Sequence, residues 1–165
     1  MFTKTIAVSA ALLVGSVMAA DVPITGEVMS KCSIYTDTAG VYGNPTPSTL
    51  STSPQSGGVT PVVRYDVVLA DAYKARISTP DGFTSSPSLT DAVIFTGSVT
   101  VDKVSDIGMS GYEAAKVTYN NVTEYDLTIA GSTWFGITSA MSYGVDKALP
   151  GGTYKAIATA ECIAK

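Results

Sequence analysis

The chain contains no histidine among its 165 residues, a single tryptophan and only two cysteines. Without His, the commonest general base, proton shuttle and imidazole metal ligand is missing, which speaks against an enzyme. Charge is scarce as well: 15% of residues are Asp, Glu, Lys or Arg, and the formal balance is −4. Lys and Arg do not cluster, which excludes both the basic stripe that nucleic acid needs and a polybasic membrane patch. The helix formers Glu, Lys and Leu are sparse, and no long amphipathic helix can be traced. Beyond the first twenty residues no apolar run approaches the ~20 residues that span a bilayer.

What remains abundant is Val, Thr, Ser, Gly and Tyr, residues that suit a pleated, half-buried surface. The opening "MFTKTIAVSAALLVGSVMAA" has one basic residue, Lys4, and an apolar run over 6–17, followed by small residues. Val17 and Ala19 fit the −3 and −1 sites of signal-peptidase cleavage. Residues 1–19 are therefore expected to be a cleaved signal peptide, with Ala20 or Asp21 first in an exported protein. Residues 20–165 are then expected to form one domain, with no membrane insertion after cleavage.

Period-two patterning recurs along that domain. In "DVPITGEVMSKCSIY" (21–35) the even positions are Val22, Ile24, Gly26, Val28, Ser30, Cys32 and Ile34. Residues 61–70 set Val63, Tyr65, Val67 and Leu69 on one face. Residues 73–79 alternate Tyr73, Ala75 and Ile77 against Lys74, Arg76 and Ser78, and Lys74 and Arg76 are placed to pair with Asp66. Residues 92–101 carry Val93, Phe95, Val99 and Val101 in phase, with Gly97 marking a bulge or a close approach. A hairpin is expected around Asn121-Val122-Thr123, and a short helical turn within 105–115. After Leu149-Pro150-Gly151-Gly152, the final segment turns Tyr154, Ala156, Ala158, Ala160, Cys162 and Ala164 one way. The polar run 43–60 reads as a long surface loop. Seven or eight short strands separated by turns predict an all-β, immunoglobulin-like antiparallel sandwich.

Motifs for chemistry are weak. Asp91, Asp102 and Asp106 lack calcium-loop spacing, no Ser sits in a nucleophile elbow, and no cofactor motif occurs. Catalytic and metal residues are accordingly expected to be none, and cofactors none. Asn121-Val122-Thr123 matches a glycosylation sequon, but turn chemistry explains the asparagines equally well. Trp134 beside Phe135 is a core plug by preference and a ligand-stacking platform as the alternative. Cys32 and Cys162, both on apolar phases, suit a disulfide in an exported chain, with free thiols or an interchain bond as alternatives.

Taken together, "ITGEVMSKC", "RYDVVLADAYKARIS…SLTDAVIFTGSVTV" and "LPGGTYKAIATAECIAK" resemble subunits of chaperone–usher fimbriae, most closely alpha-type colonisation pilins. The resemblance implies a sandwich lacking its last strand, with a groove that a neighbour's N-terminal strand fills. Val22, Ile24, Gly26 and Val28 would be the donor residues, and Gly26 would pass where a side chain could not. Tyr154, Ala156, Ala158 and Ala160 would edge the acceptor groove. Partners would be identical or related subunits, a periplasmic chaperone and an outer-membrane usher, and the destination a cell-surface filament. Strands flanking an inserted strand stand about 9–10 Å apart, too far for the ~7 Å Cα limit of a disulfide. A Cys32–Cys162 bond would therefore have to close the groove's end. The alternative function is a self-contained exported module recognising glycan or protein through 43–60 or Trp134.

Overall fold

The computed structural model describes residues 23–26, 32–145 and 147–165, and it is an antiparallel β-sandwich. The first sheet is organised around its longest strand, β9 (Gly131–Tyr143). One edge of β9 pairs along nearly its whole length with β6 (Val93–Val104). Its other edge is shared. The half at 131–136 pairs with β4 (Val62–Val67), which carries β1 (Cys32–Thr38) outside it. The half at 140–142 pairs with β3 (Thr49–Ser51), which carries β2 (Gly43–Thr46). The second sheet has the order β10 (Thr159–Ala164), β5 (Tyr73–Ser78), β8 (Val122–Leu127), β7 (Val117–Tyr119).

Alternation decides which side chains meet between the sheets. Val63, Tyr65 and Val67 of β4 are buried, as are Tyr73, Ala75 and Ile77 of β5 and Tyr125 and Leu127 of β8. Phe135 of β9 is fully buried at the centre, edge-on to Tyr65 at 5.5 Å and tilted against Tyr125 at 4.5 Å. Tyr65 spans the interior: its hydroxyl lies 3.2 Å from Arg76 O and 3.1 Å from Glu161 O in the opposite sheet. Burial pushes its pKa well above the ordinary phenol value, so it stays a neutral donor. A Cβ on Gly97 of β6 would sit 2.6 Å from Thr79 Cβ, so this glycine marks a close approach, and the bulge in β6 falls later, between Val101 and Lys103.

Four sequence expectations need correction. Residues 43–60 are not a simple loop: they hold β2, β3 and the 3-10 turn Pro54–Ser56, with Leu50 buried. The segment folds back so tightly that a Cβ on Gly43 would lie 2.0 Å from Ser56 O. Leu69 leaves the core face because β4 ends at Val67, and it is exposed. Lys74 and Arg76 pair with Glu124 on β8 instead of Asp66, because β5 and β4 lie in different sheets. Asp66 pairs with Arg64 on its own strand. Finally, Trp134 is not a core plug. Phe135 takes the inward position, and Trp134 lies half-buried on the outer face of the first sheet.

Candidate functional site

The two flanks of the sandwich are finished differently. On the β6/β7 flank, the 3-10 turn Ile107–Gly111 and the helical turn α1 (Tyr112–Ala115) cover the outer edge of β6. Val101 N donates to Glu113 Oε2 at 2.8 Å, while Lys116 Nζ and Tyr125 Oη donate to Val99 O at 2.8 and 2.9 Å. Side chains there do the work of a missing neighbouring strand, satisfying backbone groups that a bare edge would leave open. Burial alone would raise the Glu113 pKa, but hydrogen bonds from Lys116, Val101 N and Tyr125 outweigh it and hold the carboxyl below its usual range.

On the opposite flank, among the described residues, β1 pairs only with β4, and β10 only with β5. The Cys32–Cys162 disulfide joins these two edges, one from each sheet, with Cα atoms 6.4 Å apart. Beyond the bridge a cleft of about 470 Å³ opens between them. Thr36, Ala39 and Gly40 line one wall, Tyr154, Lys155, Ala156, Ile157 and Ala158 the other, and Val63, Ile137, Pro61 and Pro80 also line it. Tyr42 and Ser139 give it a polar corner, their hydroxyls 2.8 Å apart. Desolvation raises the Tyr42 pKa, opposed by its bond to Ser139.

The second wall is in strand-like phase before β10 begins. Tyr154, Ala156, Ala158 and Ala160 are half-buried and face inward, while Lys155, Ile157 and Thr159 are exposed. Lys155 N donates to Ser85 O at 2.8 Å, and Lys155 O accepts from Thr84 N at 2.8 Å. In an extended chain the backbone groups of successive residues point to opposite sides. Those of Tyr154 and Ala156 therefore face the cleft, and Ala156 and Ala158 make no hydrogen bond with the described residues.

Of the expected donor residues, Val22 and Val28 lie outside the described residues. Ile24 is 96% exposed, and nothing lies within 4 Å of a Cβ placed on Gly26. Neither lines the cleft. Trp134 is also remote from it. Its cross-strand neighbours Arg64 and Lys103 flank the ring at 5.8 and 4.8 Å from the centroid, and its indole N–H donates to Asp37. The ring is thus held among charged neighbours on the outer face of the first sheet, away from the cleft lining. Asn121, in the sequon, donates its side-chain amide to Thr79 O at 2.8 Å.

The phase of the 154–160 wall was readable from sequence. The opposite wall and the floor were not, because Thr36, Val63 and Ile137 come together only through pairing across β1, β4 and β9. Among the described residues no group of three or more acidic or Cys side chains is disposed to hold a metal, and no helix is long and apolar enough to cross a membrane. No protein-family model, curated protein or solved structure matches the chain.

Proposed function

We propose that this chain is a structural subunit of an extracellular surface filament, assembling by strand exchange. The cleft beside the disulfide would accept the N-terminal segment of a neighbouring copy, and residues 21–28 would be donated in turn. The observation that carries this reading is the cleft itself. It has two edges that are unpaired among the described residues, an apolar floor, and one wall of small inward-facing alanines that leaves room for a strand. Backbone hydrogen bonds along the edges would hold the donor, and alternate side chains would fill the interior. Burying Val22, Ile24 and Val28 would contribute roughly 1.5–3 kcal/mol each before the cost of ordering the strand. During export, a chaperone would occupy the same cleft. The resemblance of the sequence to fimbrial subunits points the same way.

The test is light scattering coupled to size exclusion on the processed chain (residues 20–165), with and without residues 20–28. The full chain is expected to form polydisperse oligomers, and the truncated chain to remain a less stable monomer that binds a peptide of residues 20–28. A full-length chain that stays monomeric and cooperatively folded at high concentration would overturn the proposal.

A further inference from the structure

Resting on that reading, we infer that Lys155 and Glu27 of successive subunits form an ion pair that fixes the register and direction of the inserted strand. Lys155 is the only charged residue lining the cleft, is exposed, and has no ion-pair partner among the described residues. The donor segment "DVPITGEV" carries two acids, Asp21 and Glu27, both at odd positions. When the even residues face inward, the odd ones lie on the outer face, where Lys155 also lies.

The cleft's shape chooses between the two acids. At the disulfide the walls are 6.4 Å apart at Cα, less than the roughly 9–10 Å that an intervening strand needs. That end is blind. A donor strand is followed by its own folded domain only a few residues later, so its C-terminal end must leave at the open end, near Tyr154. Its free N-terminus can stop at the bridge. The donor then runs antiparallel to 154–160, and pairing Lys155 with Glu27 sets Val22, Ile24, Gly26 and Val28 opposite Ala160, Ala158, Ala156 and Tyr154.

A separate count supports this register. Glu27 lies seven residues after Ala20, and Cys162 lies seven residues after Lys155. The expected first residue of the processed chain therefore falls at the bridge, while Ile24, Gly26 and Val28 fall opposite Ala158, Ala156 and Tyr154, which line the cleft. Asp21 falls opposite Glu161, where the terminal ammonium offsets the two like charges. Pairing Lys155 with Asp21 in the same antiparallel sense would set Ala20 opposite Ala156 and Val28 opposite Ala148, leaving Ala158 and the bridged end unfilled, and a parallel donor with that pair would drive Val28 into the disulfide. Backbone phase adds a further point. Lys155 turns its backbone toward Ser85, so its pair with Glu27 is a non-hydrogen-bonded one, the kind whose side chains approach most closely.

The experiment uses the processed chain and its charge reversals, Glu27→Lys, Lys155→Glu and the double reversal, with polymerisation followed by light scattering at low salt. Each single reversal is expected to slow polymerisation roughly three- to tenfold, because an outer-face ion pair becomes a like-charge pair. The double reversal should recover to within about twofold of wild type, and the differences should shrink in high salt. As a measure of register, a chain carrying Glu27→Cys mixed with one carrying Lys155→Cys should cross-link on oxidation, whereas Thr25→Cys with Lys155→Cys should not. Wild-type polymerisation with no effect of the single reversals, or cross-linking only through residue 25, overturns the pair and leaves strand exchange standing. No polymerisation by any form overturns both.

Discussion

Replacing both cysteines, as Cys32→Ala/Cys162→Ala, removes a covalent tie placed where the non-covalent ones are thinnest. The bridge spans 130 residues of sequence. Closing a loop of that size in the unfolded chain is worth about 4–5 kcal/mol in the chain-entropy treatment. A domain of this size has about 5–15 kcal/mol in total, so the loss is a large fraction of it. The native-state effect has the same sign. On the cleft flank, among the described residues, β1 is held laterally only by its ladder to β4, and β10 only by its ladder to β5. Urea denaturation of the dilute processed chain, followed by Trp134 fluorescence, should show the midpoint falling by about 2 M, with a larger m-value because the unfolded chain without its cross-link exposes more surface. Amide exchange should speed up most in β1 and β10 and least in β9, which has neighbours on both edges. A loss below about 1 kcal/mol, or uniform acceleration of exchange across both sheets, would refute the idea that the bridge carries the open flank.

Two further outcomes follow from the interior and from the closed flank. Tyr65→Phe removes a fully buried hydroxyl that links the sheets through Arg76 O and Glu161 O, and should cost about 1–3 kcal/mol in thermal or urea unfolding. A change within error would show that these carbonyls are satisfied without it. Glu113 has a folded-state pKa held below its ordinary value of 4.5, so its contribution is complete above that value and is lost as pH falls through the depressed one. Melting temperature should therefore drop between about pH 5 and 3 in wild type, and drop less steeply in Glu113→Gln. Parallel curves for the two proteins would count against a role for its charge.

The strands that could be read from sequence are those with large side chains at every second position. Residues 62–67 and 73–78 announce themselves through Val, Tyr and Ile, and each buries the expected face. The central strand β9 also sets Phe135, Ile137, Met141 and Tyr143 inward, but polar and small residues interrupt the series. Thr133 and Ser139, also inward, are buried and polar, and their hydroxyls pair with Met109 Sδ and the Tyr42 hydroxyl. The same interruptions obscure the place of Trp134, because a lone indole looks like core when the strand's phase is not fixed by its neighbours. β3 exists by pairing with residues about ninety positions later and β2 by pairing with β3, while local composition there is that of a loop. For the cleft, sequence gave the alternation of one wall and the position of the bridge. The absence of a strand between the walls is a property of topology, and no local pattern encodes it.

The contrast between the two flanks bears on why an open cleft can persist in a folded chain. An edge strand facing another sheet's edge invites pairing, and proteins ordinarily cover such edges. Here the β6 flank is covered by a short segment that spends Glu113, Lys116 and Tyr125 on the backbone of one strand. The β1 flank receives no comparable cover from the described residues; it receives a disulfide at one end, which holds the walls in place while the rest stays open. A covalent clamp is the device suited to this need, because it fixes the edges without occupying the space between them. If the cleft were merely a packing defect, filling it from within should stabilise the monomer. Enlarging Ala156 and Ala158 to Leu and Val tests this directly. The strand-exchange reading expects such a variant to gain or hold thermal stability as a monomer while losing polymerisation. A variant that polymerises as wild type does would mean that this cleft is not where subunits join.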